Sequence, residues 1–232
     1  MGSMFAYNTT AIVHQRQKWN PNNFYAPCYF IGIYKEILLK FGKQRVFYGA
    51  EFRPEREGFA TSSLALAISK QDKKKYVVRV NPLENDVDSY VGYFIKKGNT
   101  KIFWNIEIQV LEFTKYSSDI YQEIIRKLRK GYANDIVFCV FINRVGKIPA
   151  ITELHSRLAS ELGKTYQKNR QIWFISRTSE KIHTAYLVWP KIWYSDINIE
   201  EECSRPNSMY GVTPIEIKSR ELILNQKDLV NF

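Results

Sequence analysis

The stretch NDVDSYVGYFIKKGNTKIFWNIEIQVLEF, residues 85–113, decides the fold because it places a hairpin signal between two apolar runs. Gly98-Asn99 is a dipeptide typical of two-residue hairpin turns. Side chains along a strand alternate between the two faces of a sheet, so Glu107 and Gln109 share one face. A core strand could take Val at both positions, and the two polar side chains therefore either face water or hold something.

The register of this hairpin follows from its turn. If Gly98 and Asn99 are the loop residues, Lys97 pairs with Thr100. Apolar residues then meet apolar residues, as register selection requires, in the pairs Ile95–Ile102, Tyr93–Trp104, Val91–Ile106 and Phe94–Phe103. The same register sets Tyr90 against Glu107 and Asp88 against Gln109, which brings Asp88, Glu107 and Gln109 into one small patch. A three-residue loop would move Asp88 to the other face.

Two helices are predicted after the hairpin. Residues 117–131 have an apolar stripe, with Asp119 and Gln122 as a capping box and Gly131 as the stop. Residues 151–163 form the second helix, with leucines at four-residue spacing. Residues 28–41 are apolar and fit a helix or a strand, and the basic segment 42–58 is expected to be a loop.

Further strands complete a sheet. They are expected at 76–80, at 135–143, where a continuous apolar run indicates burial on both faces, and twice within 171–190. The order strand, strand, helix, strand, helix predicts an α/β fold with a central mixed β-sheet flanked by helices. We divide the chain into an N-terminal extension (1–44, which begins with a tag remnant), a putative core (45–145), and a C-terminal region of helix and strands (146–232) for recognition or dimerisation.

The composition favours a polyanionic partner. Lys and Arg number 34 against 23 Asp and Glu, which gives a formal net charge of +11 and makes nucleic acid the first candidate. No amphipathic helix with a basic flank, no membrane-spanning run and no signal peptide is visible, so we expect a cytoplasmic protein without a membrane partner. The three cysteines lack metal-ligand spacing, and Cys139 is expected to be a buried small hydrophobe.

Two basic segments are candidates for contacts with phosphate groups. They are the turn Lys73, Lys74 and Lys75 and the helix residues Arg126, Lys127, Arg129 and Lys130. Each contact of this kind makes affinity fall as salt rises. The alternative for every one of these residues is an ordinary solvated surface position.

The patch of Asp88, Glu107 and Gln109 has the chemistry of a magnesium site. Two carboxylates on neighbouring strands supply hard oxygens, and Mg²⁺ keeps waters for chemistry. A third polar group two residues from the Glu can orient an attacking water. The alternative is a half-exposed strand on which Glu107 and Gln109 are solvated.

The pattern of an Asp, a hairpin, Glu-x-Gln on the next strand, a helix and an apolar strand resembles the PD-(D/E)xK nuclease superfamily over about residues 45–145. The resemblance implies a restriction-endonuclease-like fold, with Asp88 and Glu107 as metal ligands and Gln109 where the family usually has a water-assisting Lys. Some restriction endonucleases of the superfamily have Gln there. The family often adds a Glu from the helix before the hairpin, a role open to Glu51 or Glu57.

The sequence departs from the family pattern in three ways. Val87, rather than Pro, precedes Asp88; Asp86 lies on the same face and competes with Asp88; and Lys is absent at position 109. Two other motifs are weaker. IEIK at 215–218, with Asp196 upstream, would need a permuted topology, and GIY at 32–34 with FYG at 47–49 resembles the GIY-YIG motif but fits plain core.

These observations predict a Mg²⁺-dependent endonuclease that hydrolyses DNA, of the type II restriction kind. Asp88, Glu107 and Gln109 are its catalytic residues, and double-stranded DNA is the expected partner. A homodimer is expected because two-fold symmetry matches a duplex cut on both strands. Two alternatives stay open: a non-catalytic nucleic-acid-binding module on the same scaffold, which the Gln at position 109 favours, and a metal-independent enzyme that removes bases.

Overall fold

The computed structural model describes residues 19–21, 23–81, 87–97, 100–113, 119–130, 136–143, 150–165, 170–179, 181–204 and 215–216. The strands are β1 (Asn23–Phe24), β2 (Tyr76–Val80), β3 (Ser89–Lys97), β4 (Thr100–Phe113), β5 (Val137–Ile142), β6 (Ile172–Arg177), β7 (Ile182–Trp189), β8 (Trp193–Asn198) and β9 (Ile215–Glu216). The helices are α1 (Pro27–Phe41), α2 (Lys43–Tyr48), α3 (Arg53–Asp72), α4 (Ile120–Leu128), α5 (Ile151–Thr165) and α6 (Ile199–Ser204), with a 3₁₀ turn at Ala50–Phe52.

The described residues form one large mixed sheet and a small two-stranded pair. The large sheet has seven described strands in the order β2-β3-β4-β5-β6-β7-β8. Neighbouring strands are antiparallel from β2 to β4, parallel from β4 to β6, and antiparallel again from β6 to β8. The α/β class and the central mixed sheet that the sequence predicts are therefore confirmed.

The hairpin has the register that the sequence predicts. Tyr90 pairs with Glu107, Tyr93 with Trp104 and Lys97 with Thr100. The turn residues Gly98 and Asn99 lie outside the described residues. Side chains alternate along both strands, so this register decides for each described residue of β4 which of the two faces of the sheet it lies on.

Helices cover both faces of the sheet. Phe59 and Leu64 of α3 belong to a core that includes Val91 of β3 and Cys139 of β5, and α1 packs against this core from outside. On the other face Ile124 of α4 and Leu158 of α5 pack against Phe138 and Phe174. The face of each strand thus decides whether a side chain meets α3 or meets α4 and α5.

The elements after the hairpin agree with the prediction. Asp119 caps α4, because its carboxylate accepts from the backbone N–H groups of Tyr121 at 3.0 Å and Gln122 at 3.3 Å. Gly131, the predicted stop, lies outside the described residues. Every residue of β5 is buried, as expected for a strand covered on both faces.

The prediction of a loop at 42–58 is wrong. This segment forms α2, the 3₁₀ turn and the start of α3, with Pro54 in the first turn, where its missing N–H costs nothing. Its polarity misled the prediction because Arg56 and Glu57 are buried in the folded protein. The ambiguous segment 28–41 is also a helix, α1.

The far end of α3 has an unusual backbone. Lys73 follows the helix with φ 63° and ψ 21°, in the left-handed region. Glycine is the usual residue at such a helix end, and another residue costs roughly 1–2 kcal/mol there. The basic turn of Lys73, Lys74 and Lys75 therefore begins with a strained residue.

The three cysteines have two different environments. Cys139 is fully buried under α3, as predicted. Cys28 and Cys203, 175 residues apart in sequence, form a disulfide between α1 and α6. Disulfides are rare in the reducing cytosol, and this one does not favour the cytoplasmic location that the sequence predicts. That location stays a prediction. None of the described helices is both long and apolar enough to cross a membrane.

His183 makes the stability of the protein sensitive to acid. Burial first, and then the charges of Arg177 and Lys35, lower its pKa from 6.5 to about 3. Below pH 6.5 His183 is protonated in the unfolded chain but stays neutral in the folded protein. The free energy of unfolding therefore falls as pH drops from 6.5 towards 3. We expect this group alone to remove about 2 kcal/mol of unfolding free energy between pH 7 and pH 5.

Urea denaturation at the two pH values measures this loss. The His183→Gln variant lacks the titrating group, so its loss between pH 7 and pH 5 should be smaller than that of the wild type by about 2 kcal/mol. Equal losses in the two proteins would show that His183 accepts its proton in the folded state.

Candidate functional site

Asp88 lies at the start of β3, where its backbone N–H donates to the carbonyl of Ile108 at 3.2 Å. Its side chain is buried. Oδ2 accepts from the backbone N–H of Val110 at 2.7 Å and from the side-chain amide of Gln109. The predicted register therefore brings Asp88 and Gln109 together, and two donors from β4 hold one oxygen of the carboxylate in place.

The first turns of α3 bring two more charged side chains to Asp88. The Nε atom of Arg53 donates to Oε1 of Glu57 at 2.6 Å, and its Nη2 donates to Oδ1 of Asp88 at 3.2 Å. Glu57 is buried, whereas the Arg53 side chain is half exposed. A single guanidinium thus joins a carboxyl from the helix to a carboxyl from the sheet.

Burial and mutual repulsion disfavour the charged forms of this carboxyl pair. Burial first, and then the charge of Asp88, raise the pKa of Glu57 to about 8 even though Arg53 opposes the shift. Burial also raises the pKa of Asp88, against the Val110 N–H and the positive charges of Arg53 and Lys127. The two carboxyls are close enough to repel, and the site favours an additional positive charge.

The side chain of Gln109 is buried and holds Asp88. The side chain is 3% exposed, so it does not face water. Its amide nitrogen donates to Asp88, and its Oε1 is buried without a hydrogen-bond partner among the described residues. A buried acceptor of this kind costs free energy unless a donor or a cation reaches it.

The other predicted acidic residues have different positions. Glu107 is half-buried and faces Tyr90 across the hairpin, on the same face as Gln109. The contacts described for Asp88 are with Arg53, Gln109 and Val110 and do not include Glu107. Of the two candidates for the helix Glu, Glu57 lies beside Asp88, whereas Glu51 pairs with Arg45. Asp86 lies outside the described residues.

The predicted basic residues lie in two places. The turn Lys73, Lys74 and Lys75 is exposed at the end of α3. Arg126 of α4 pairs with Glu123 at 2.6 Å, and Arg129, directly after α4, pairs with Glu161 of α5 at 2.7 Å. Lys130 is exposed, and Lys127 is close enough to lower the pKa of Asp88. Of these cations Lys127 is therefore the one shown to lie near the carboxyl pair, whereas the lysine turn is at the other end of α3.

A second buried charge network fixes the start of α3. Nε of Arg56 donates to Glu112 of β4 at 2.7 Å, and its Nη1 donates to the carbonyls of Val46 at 2.8 Å and Gly49 at 2.7 Å. Asn143 at the end of β5 donates to the same Glu112 at 2.8 Å. The sequence prediction missed this network and Arg53, because each contact joins distant segments and no local motif marks it.

The competing motifs do not form a second site among the described residues. Tyr34 of the GIY tripeptide is buried and stacks on Phe59 at a centroid distance of 4.2 Å, so it is core, as predicted. Asp196 accepts from Thr184 at 2.5 Å, on the edge pair of strands. Lys218 of the IEIK motif lies outside the described residues.

The donor set beside Arg53 fits a magnesium ion. In the described part of the chain, no three or more His, Cys, Asp or Glu side chains are grouped to hold a metal ion. Mg²⁺ commonly takes one or two carboxylates and completes its octahedron with waters and substrate oxygens. Glu57 and Asp88 supply two carboxyls that already share a cation. Gln109 adds an amide oxygen next to Asp88 that has no hydrogen-bond partner in the part of the chain that the structure describes.

Comparisons with known proteins assign no family to this chain. The chain matches no protein-family model, and no curated protein matches its sequence.

The Arg56 network is expected to dominate the stability of this region. Arg56→Met leaves the carbonyls of Val46 and Gly49 without this donor and leaves Glu112 with Asn143 but without the guanidinium charge. Breaking a buried pair in this way costs about 3–5 kcal/mol. The matched control is Arg126→Met, which breaks an ion pair of 2.6 Å whose side chains are 58% and 40% exposed. The control should lose at most about 1 kcal/mol.

Urea denaturation of both variants measures the difference. Similar losses for Arg56→Met and Arg126→Met would contradict the view that the buried network fixes α3 on the sheet.

Proposed function

We propose that this protein is a Mg²⁺-dependent endonuclease that hydrolyses phosphodiester bonds in DNA. The observation that carries the proposal is the convergence of Glu57, Asp88 and Gln109 from a helix and two strands around a half-exposed guanidinium. Paired buried carboxyls with perturbed pKa values are characteristic of functional sites. The net charge of +11 suits a polyanionic substrate.

The order of the elements supports a restriction-endonuclease-like fold. A helix with an inward Glu, a hairpin with the Asp and the Glu-x-Gln segment, a helix and a buried strand follow one another as α3, β3, β4, α4 and β5. The resemblance of the sequence to the PD-(D/E)xK superfamily rests on this order. Glu57 is then the helix Glu that the family often adds.

The residues that would hold Mg²⁺ are Glu57 and Asp88. The family pattern implies a further ligand, Glu107, which lies on β4 two residues before Gln109. A bound Mg²⁺ would stabilise charge on the scissile phosphate and lower the pKa of an attacking water. Asp88 is prepared for this role because Gln109 and Val110 fix Oδ2 and so aim Oδ1.

The remaining side chains position water and phosphate. Oε1 of Gln109 accepts a hydrogen bond from the attacking water and orients it, although an amide cannot take the proton as a base does. Arg53 moves its half-exposed guanidinium from the carboxyls to the phosphoryl oxygens, which it binds in a bidentate manner. The cations at the end of α4 and directly after it contact neighbouring phosphates; they are Arg126, Lys127, Arg129 and Lys130. A homodimer would present two such sites to a duplex.

A non-catalytic nucleic-acid-binding module is the second candidate. Its specific support is Gln109, whose amide is hydrogen-bonded to Asp88 where the family usually has a Lys. In such a module the carboxyl pair only shapes the surface. Binding that ignores Mg²⁺ and leaves DNA intact distinguishes it from the nuclease.

Incubation with plasmid DNA tests the hydrolysis. With Mg²⁺ or Mn²⁺ the wild type should give discrete fragments, and with EDTA it should give none. Asp88→Asn and Glu57→Gln should each cut at least about 100-fold more slowly, since a bound metal supplies several kcal/mol of charge stabilisation. Glu200→Gln, which changes an exposed acid on α6, is the matched control and should cut at the wild-type rate.

Each other result of the plasmid experiment has a meaning. Full cleavage by Asp88→Asn would refute the proposed site. Intact DNA with salt-sensitive retardation would favour the binding module. Damage that resists EDTA and breaks only in alkali would indicate base removal.

Thermal unfolding tests the metal separately from cleavage. Mg²⁺ should raise the unfolding temperature of the wild type, because a ligand that binds only the folded state stabilises it. The rise should be larger for Arg53→Met, in which no guanidinium competes for the two carboxyls, and absent for Asp88→Asn. NaCl at matched ionic strength is the control, and an equal rise in all three proteins would place Mg²⁺ elsewhere.

A further inference from the structure

A small aromatic cluster lies on the face of the sheet away from α3, over β2, β3 and β4. Its members are Phe24, Val77 and Phe103, with the half-buried Tyr90 and Phe94 packed against them. All of them lie on strands, so no described helix contributes to the cluster. The described helices therefore leave this part of the sheet accessible.

The guanidinium of Arg79 lies over this cluster. Arg79 of β2 pairs with Tyr90 of β3, and its Cζ lies 4.0 Å from the centre of the Tyr90 ring and 5.1 Å from that of Phe24. Phe24 is fixed in turn, because it is buried and its neighbour Tyr25 exchanges two backbone hydrogen bonds of 2.8 Å with Val78. Contacts between a cation and an aromatic ring are favourable, and these two hold the guanidinium in place.

Gly92 makes room for the ring that supports Phe24. A Cβ atom at this position would collide with the ring of Phe103. The Phe103 ring packs edge-on against Phe24 with a centroid distance of 4.9 Å. Glycine inside a strand often marks such a close approach. The cluster beneath Arg79 is therefore built by residues from four strands and not by one flexible loop.

The hydrogen-bonding groups of Arg79 have no partner in the part of the chain that the structure describes. None of its nitrogens is buried, so they reach solvent. A guanidinium has five N–H donors in a rigid fork that matches the oxygens of a phosphate group. Four other arginines already pair with carboxylates; they are Arg53, Arg56, Arg126 and Arg129.

Arg79 lies on the same face of the sheet as Asp88. It pairs with Tyr90, and side chains two residues apart on a strand share a face. Two residues along the strand and one strand across place the Cα atoms of Arg79 and Asp88 about 8 Å apart. One strand of B-form DNA covers that distance in about two nucleotides. The acid Glu107 faces Tyr90 from β4, so Tyr90 separates it from Arg79.

We propose that Arg79 binds a phosphate group of the substrate strand, about two nucleotides from the phosphate that lies at Asp88. This inference rests on the proposed function, because Asp88 locates the cleaved bond. The ring contacts restrict the rotamers of Arg79, so less side-chain entropy is lost when its fork binds the phosphate oxygens. The substrate strand then runs from the carboxyl pair across β3 towards β2, the edge of the sheet.

Fluorescence anisotropy in EDTA measures this contact without any cleavage. The probe is a labelled DNA duplex, and its affinity is followed over a range of NaCl concentrations. Arg79→Gln should bind at least about tenfold more weakly, because hydrogen bonds between charged groups are strong. The slope of log affinity against log salt should become shallower by about 0.9, the value of one phosphate contact on duplex DNA.

Two further variants separate the contact from net charge and from folding. Lys191→Gln changes the charge equally at an exposed position between β7 and β8, near the opposite edge of the sheet, and should bind as the wild type does. Arg79→Lys keeps the charge without the fork, so it should keep the salt slope and lose affinity severalfold. Unfolding temperatures are measured for all variants, and Arg79→Lys carries the test if Arg79→Gln does not fold.

Kinetics with Mg²⁺ test where the phosphate lies. Arg79 contacts a phosphate that is not cleaved, so Arg79→Gln should raise KM and leave kcat close to that of the wild type. Arg53→Met removes a group from the cleaved phosphate and should lower kcat instead. A fall in kcat for Arg79→Gln with KM unchanged would place Arg79 at the cleaved bond and overturn the proposal.

The outcomes separate this proposal from the proposed function. Equal affinities and salt slopes for Arg79→Gln and Lys191→Gln would overturn the Arg79 contact and leave the plasmid result untouched. Weakened binding by Arg79→Gln in a protein that leaves plasmid intact would keep the contact and remove the hydrolysis. A wild type that does not bind the duplex would overturn the contact, and binding of labelled polyglutamate that depends on Arg79 would then indicate an acidic protein partner.

Discussion

The structure depends on the burial of α3, a helix that crosses the sheet with polar side chains on its inner face. Buried polar groups need hydrogen-bond partners, and the sheet supplies them from several strands. Arg56 contacts Glu112 of β4, Thr61 contacts Ser89 of β3 at 2.6 Å, and Ser63 contacts His183 of β7 at 3.1 Å. These contacts fix both the rotation of α3 and its height over the sheet. Arg53 and Glu57 lie in the first turns of the same helix, so the contacts that fix α3 also fix the positions of these two residues.

The hairpin was predictable because everything that decides it is local. A two-residue turn and alternating side chains set the pairing of β3 with β4, and one wrong step would have buried polar residues in the core. The helix α3 was not predictable in its first half. Arg56 and Glu57 look like loop residues in sequence, and Arg56 finds its partner Glu112 56 residues further along the chain. Local polarity cannot report a partner at that distance.

The candidate site divides along the same line. Asp88 and Gln109 meet because they are opposite one another in the hairpin, and the register predicts this. Arg53 contacts Asp88, which is 35 residues away in the chain, and no sequence pattern around either residue predicts the contact. The placement of Gln109 shows why an amide suits this position. An amide can satisfy Asp88 Oδ2 without adding charge, whereas a Lys ammonium at the same point would compete with a metal for the carboxylate.

Strand β4 holds the two charge networks at the start of α3 in a fixed relation. Its 14 residues lie between antiparallel β3 and parallel β5, so its backbone is paired on both sides over the shared length. Gln109 holds Asp88 from one face of the strand, and Glu112 contacts Arg56 from the other face. Arg53, which contacts Asp88, lies one turn before Arg56 in the same helix. The contact of Arg56 with Glu112 therefore also sets the position of Arg53 over Asp88.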